Sequence, residues 1–127
     1  MCQIFIRADP DLYVTRTRSM RLRGVATSIR LENQFWDVLD EIGTRDGLTL
    51  PQLISRLYDE LSEAGGGDTT HLLPANFTSF LRVCCGRYMA LQLSGAIPSD
   101  TRVPIASLDA DRVLASERPR IAANRVA

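Results

Sequence analysis

The sequence predicts a mainly α-helical chain with one short strand, paired as a two-stranded antiparallel ribbon with the same strand of a second copy, and with an additional C-terminal helix. Three observations predict it. Val25 to Leu31 alternates with a period of two. Two stretches directly downstream repeat apolar residues at helical spacing and are separated by the segment Gly43 to Gly47. A third, more apolar helical stripe follows the run Gly65-Gly66-Gly67.

Length and composition frame these elements. With 127 residues and 45% apolar content, the chain suffices for one compact domain with a core and appendages. Mean hydropathy lies near zero, and no apolar run approaches the length of a membrane-spanning helix. The opening Met1-Cys2-Gln3-Ile4-Phe5-Ile6-Arg7 has no signal-peptide layout, so a cytoplasmic location is expected. Three cysteines, two of them adjacent, do not make a disulfide framework. A formal net charge of zero conceals an asymmetry. Residues 1–31 carry +4, residues 32–64 carry −6 and residues 65–127 carry +2. A basic leading segment before an acidic one suits an edge that meets a polyanion. All fifteen basic residues are Arg.

Residues 2–7 alternate weakly, the pattern of a short strand, and Asp9-Pro10-Asp11 reads as a turn or helix start. From Ser19 to Leu31 the chain reads as extended. Its apolar residues change parity at Gly24, which suggests a bulge or break there. In the strand from Val25 to Leu31, Thr27, Ile29 and Leu31 then face inward, and Ala26, Ser28 and Arg30 outward. The first helix shows Leu31, Phe35, Val38, Leu39 and Ile42 on one stripe, with Trp36 off it. Thr49 is the expected N-cap of the second helix, with Pro51 in its first turn and Leu53, Ile54, Leu57, Tyr58 and Leu61 on one face. The third helix is expected from about Asn76 to Leu93, with Phe77, Phe80, Leu81, Cys84, Tyr88 and Leu91 as its main stripe. Prolines, small residues and mixed charges from Ser94 onward read as a mobile tail with a short helix near Leu108 to Ala115. No internal repeat is detected. The expected divisions are a basic extension over 1–18, a ribbon and two helices over 19–64, a Gly-rich linker over 65–75, the third helix over 76–93 and a disordered tail over 94–127.

A single seven-residue strand leaves its backbone N–H and C=O groups without partners. Nothing nearby offers a tight hairpin, so the same strand from a second chain, related by a two-fold axis, is the expected partner, which makes a homodimer. The helices cover one face of that ribbon. The other presents Ala26, Ser28 and Arg30, and a two-stranded ribbon fits the major groove of double-stranded DNA. Arg30 has the fork for guanine O6 and N7, and Ser28 can donate or accept. The first turn of the second helix, at Thr49 and Leu50, presents backbone N–H groups to a phosphate.

Thr27-Ser28-Ile29-Arg30-Leu31, then Phe35, Leu39 and Ile42, then Gly47-Leu48-Thr49 with Leu53-Ile54 resemble the ribbon-helix-helix superfamily of repressors (the Arc/MetJ type) over residues 19–64. The longer run Arg16-Thr17-Arg18-Ser19, with Thr27 to Glu32 and Phe35-Trp36, resembles an uncharacterised bacterial branch of it. The resemblance implies base reading by Ala26, Ser28 and Arg30 and a phosphate clamp at Thr49 and Leu50. Two residues depart from the pattern: Ala26 reads only a thymine methyl, and Glu32 takes a cap position usually held by Ser or Thr.

Arg16, Arg18, Arg21 and Arg23 suit an arm laid on phosphates; the plainer alternative is a solvated basic strand facing the acidic first helix. Cys2, exposed by removal of Met1, would be the nucleophile of an amidotransferase, but no β-rich domain or oxyanion hole follows it. Cys84 and Cys85 diverge by about 100° around a helix and suit core packing rather than one metal. His71 has no companion ligands for zinc. With no nucleotide loop or triad present, neither an enzyme nor a cofactor or metal site is expected. The leading expectation is sequence-specific DNA binding as a homodimeric repressor. The alternative is an antitoxin-like or adaptor protein that binds a protein partner through residues 76–127.

Overall fold

The structure is a computed structural model that describes residues 2–117 and, of His71, the backbone alone. The chain runs through α1 (Cys2–Ile6), β1 (Thr15–Leu22), β2 (Val25–Glu32), α2 (Asn33–Arg45), α3 (Leu50–Ala64), α4 (Pro74–Ser94) and α5 (Ala110–Ser116). Short 3₁₀ turns lie at Pro10–Leu12, Thr70–Leu72 and Ile105–Ser107.

β1 and β2 form a two-stranded antiparallel sheet, in register from Thr15 opposite Glu32 to Leu22 opposite Val25. The loop between them is Arg23-Gly24, and both residues have positive φ, 51° and 80°. This is the geometry of a type I′ turn, whose twist matches that of the flanking strands. The ribbon expected between two chains is thus closed within one. The parity change at Gly24 has the same origin. A two-residue loop pairs even positions with odd ones, so inward residues are even on β1 and odd on β2, and no bulge is needed.

The amino terminus also departs from expectation. Residues 2–6 form a helical turn and not a strand. The expected basic extension over 1–18 ends earlier, because Thr15 to Arg18 already pair with β2. Asp9 caps the turn at Pro10–Leu12 through Asp11 N–H, as the Asp-Pro-Asp motif suggested.

The core lies under the inner face of the ribbon. Leu22, Ile29 and Leu31 meet Trp36 and Leu39 of α2, Leu50, Leu53 and Ile54 of α3, and Phe77, Leu81 and Cys85 of α4. Trp36 is 1% exposed, and its indole N–H donates to the Arg16 carbonyl at 2.9 Å. It therefore joins α2 to β1 on a second flank of the helix beside the Phe35 stripe. α3 begins with the expected cap: Thr49 Oγ1 accepts from Gln52 N–H, and the Gln52 side chain accepts from Thr49 N–H. Tyr58 and Phe77 meet edge-to-face at 5.1 Å, which ties α3 to α4.

The segment after α4 was expected to be a mobile tail; through residue 117 it is docked. Arg45, at the end of α2, is 5% exposed. Its guanidinium donates to the carbonyls of Pro98, Asp100 and Val103 at 2.9–3.1 Å and to the Tyr88 hydroxyl at 3.1 Å. The neighbouring Asp46 carboxylate accepts from Ile105 and Ala106 N–H and so caps the turn there. Ile97 is buried with Tyr88 and Leu91, and α5 is tied back to α4 by an ion pair of Arg87 with Glu117 at 2.7 Å. The part of the expected tail over 118–127 lies outside the described residues.

Candidate nucleic-acid interface

Directly opposite residues in an antiparallel pair point to the same face. The inner face of the ribbon therefore carries Leu22, Met20, Arg18 and Arg16 on β1 against Val25, Thr27, Ile29 and Leu31 on β2. The outer face carries Thr17, Ser19 and Arg21 on β1 against Arg30, Ser28 and Ala26 on β2, and all six are exposed. Ala26, Ser28 and Arg30 lie on the uncovered face as expected, joined by three residues of β1 that the sequence did not place there.

The hydroxyls of Ser19 and Ser28 lie 3.4 Å apart at the centre of this face. Arg30 Nε donates to Thr15 Oγ1 at 2.9 Å, and Arg21 Nη1 donates to the Gly24 carbonyl at 3.0 Å. Each guanidinium is thereby steadied through one nitrogen. The two terminal nitrogens of Arg30 make no hydrogen bond among the described residues and keep the fork that suits a planar pair of acceptors. Glu32 is the carboxylate at the edge of the face. Its oxygens accept from Arg82 of α4 at 2.8–3.2 Å. The Arg82 hydrogen bonds hold its carboxyl below the ordinary Glu value and raise the Arg82 guanidinium in turn. Glu32 fills the N-cap position of α2 without a side-chain cap bond, so α4 occupies the group that the cap would have used.

The four arginines expected as a phosphate arm do not form one surface. Arg21 stands on the outer face, opposite Ala26. Arg23 sits in the turn and pairs with Asp59 of α3 at 2.9 Å. Arg18 faces the core side, 5.8 Å over the Trp36 ring. Arg16 is exposed on the core-side parity of β1, its carbonyl held by Trp36. At the start of α3 the Leu50 side chain is 5% exposed and belongs to the core. Pro51 has no N–H and that of Gln52 bonds Thr49, so the Leu50 amide is the donor left open at this end among the described residues.

Elsewhere the chemistry is muted. Burial raises the thiol of Cys84 to about 11 and that of Cys85 to about 12. Both are far from the thiolate form that nucleophilic or metal chemistry requires. No group of three His, Cys, Asp or Glu side chains able to hold a metal occurs among the described residues. No helix among them is long and apolar enough to cross a membrane.

Comparison with known proteins gives a family and a structural relative. The model of the ribbon-helix-helix domain matches residues 15–89, from the first residue of β1 to within α4. A solved structure of an uncharacterized protein from Bordetella pertussis Tohama I is 55% identical, with a TM-score of 0.85. The alignment covers 99% of this chain and 96% of that one. No curated protein matches the chain.

Proposed function

This chain belongs to the ribbon-helix-helix domain family, and from that premise we propose that it is a double-stranded DNA-binding regulator, most simply a transcriptional repressor. The outer face of the β1–β2 ribbon reads the major groove. The observation that carries this reading is the composition of that face. Two arginines, two serines, a threonine and an alanine lie exposed on it, and the bordering carboxylate of Glu32 is paired with Arg82. Arg30 forks to guanine, the serine hydroxyls meet base edges, and Ala26 touches a thymine methyl. The Leu50 amide at the start of α3 and the exposed Arg16 are the proposed phosphate contacts.

The test is selection of bound duplexes from random sequence, followed by titration of the selected and a scrambled duplex at two salt concentrations. Arg30→Ala is expected to weaken the selected duplex by roughly ten- to a hundredfold, the worth of a bidentate guanine contact. The scrambled duplex should change far less. Equal binding of both duplexes by wild type and variant would overturn the reading. A second reading, an adaptor docking through α4, rests on Val83 and Leu93, which are 57% and 81% exposed on that helix. It takes precedence if the wild-type protein selects no duplex.

A further inference from the structure

We infer that a single chain carries a complete, pseudo-two-fold DNA-reading surface, in which Arg21 is the counterpart of Arg30, so that one chain fills one DNA site. The inference rests on the DNA-binding reading and specifies its reading unit. Ser19-Met20-Arg21-Leu22 and Ser28-Ile29-Arg30-Leu31 follow one pattern, Ser-apolar-Arg-Leu, nine residues apart. Only four positions carry this short repeat, too few to stand out as an internal repeat in the sequence. The register sets Ser19 opposite Ser28. An axis through the midpoint of that pair exchanges each β1 residue from Arg16 to Leu22 with the β2 residue nine positions later, and Thr15 with Gly24 of the turn.

Burial follows the axis. Leu22 and Leu31 are both buried, 3% and 0% exposed, Met20 and Ile29 both pack in the core, and Arg21 and Arg30 are both exposed. The tethers follow it too, and they are independent of the repeat. Arg30, opposite Thr17, reaches past it to Thr15; Arg21, opposite Ala26, reaches past it to Gly24. The axis that carries Arg21 onto Arg30 also carries Thr15 onto position 24. Two arginines thus stand at the two diagonal ends of the face, Arg30 steadied by β1 and Arg21 by the turn, with the serine pair at its centre.

This is the contact pattern that a ribbon shared by two identical chains would present. Arg21 and Arg30 lie four residues apart along the ribbon, about 13 Å at ~3.3 Å per residue. That is the rise of roughly four base pairs at ~3.4 Å each. The DNA site this face fits is a short quasi-palindrome with one guanine on each strand, about four base pairs apart. Its halves are not identical, because the axis exchanges Thr17 with Ala26.

The experiment trims the selected duplex to the shortest length that keeps full affinity and measures chains bound per duplex by native mass spectrometry. Arg21→Ala, Arg30→Ala and the double variant are then titrated. One chain per minimal duplex is expected. Each single variant should lose about ten- to a hundredfold and relax preference at one of two symmetry-related guanines, and the double variant should lose both preferences. Arg21→Lys, which keeps the charge and loses the fork, should relax the same guanine while keeping the salt slope of the wild type. Two chains on every minimal duplex, or an Arg21→Ala variant with unchanged preference, would overturn the inference and leave the DNA reading standing. A wild-type protein that selects no duplex would remove both.

Discussion

Arg45→Met tests how the segment after α4 is held. The guanidinium is buried, makes no ion pair among the described residues, and donates four hydrogen bonds, three of them to carbonyls of residues 98–103. Methionine fills much of the volume and supplies no donor. If the segment stayed in place, each buried acceptor left unpaired would cost about 1–3 kcal/mol. The segment can instead peel away and give its carbonyls to water. The loss is then limited to its docking energy: burial of Ile97, worth about 1.5–3 kcal/mol, and the Arg45 bonds themselves. A net destabilisation of about 3–4 kcal/mol follows. For a chain of this size that lowers the melting temperature by roughly 10–15 °C. The assay is thermal unfolding by circular dichroism together with hydrogen exchange of the amides over 97–106. Exchange there should rise well above that of α2 and α3. A melting temperature within about 3 °C of wild type, with unchanged protection over 97–106, would refute this account of the docking.

Two further outcomes follow from the ribbon and its border. Gly24→Ala meets no atom within 4 Å, so its cost is the positive φ alone, about 1–2 kcal/mol, read as a lower denaturant midpoint with an unchanged slope. Glu32 titrates below its ordinary 4.5 because Arg82 bonds its charged form. Its contribution to stability is fully present above that ordinary value and is lost as pH falls through the lower folded value. Glu32→Gln should therefore flatten the acid limb of the stability curve below about pH 4.5, measured by urea unfolding across pH, while stability near pH 7 falls only modestly.

The parts of the fold legible in the sequence are those whose signals are local. Thr49, Pro51 and Gln52 announce the start of α3 through chemistry within four residues. Val25 to Leu31 gives its inward and outward faces by alternation, which is why Ala26, Ser28 and Arg30 were found on the open face. β1 was missed as the partner strand for two reasons. Its inward positions 16 and 18 hold arginines, with Arg18 lying over Trp36, so no apolar alternation marks them. Its turn begins with Arg23, where Asn or Asp would have signalled a type I′ loop. Without that register the sequence does not separate Arg21 from Arg16, Arg18 and Arg23, and all four read alike as phosphate contacts. Docking of the tail depends on Arg45 and Asp46 reaching across more than fifty residues. Pairings at such separation leave no periodic trace.

The Arg23-Gly24 turn also decides when the outer face of the ribbon exists. A ribbon assembled from two chains forms in a second-order encounter, and its integrity falls with dilution. A hairpin closed by two residues forms by local collapse on a microsecond scale. Its strands are joined at the cost of one short loop, whatever the number of copies in solution. The outer face of the ribbon therefore stays intact at any dilution, and under the one-chain site inferred above, occupancy of DNA would follow the first power of the protein's concentration.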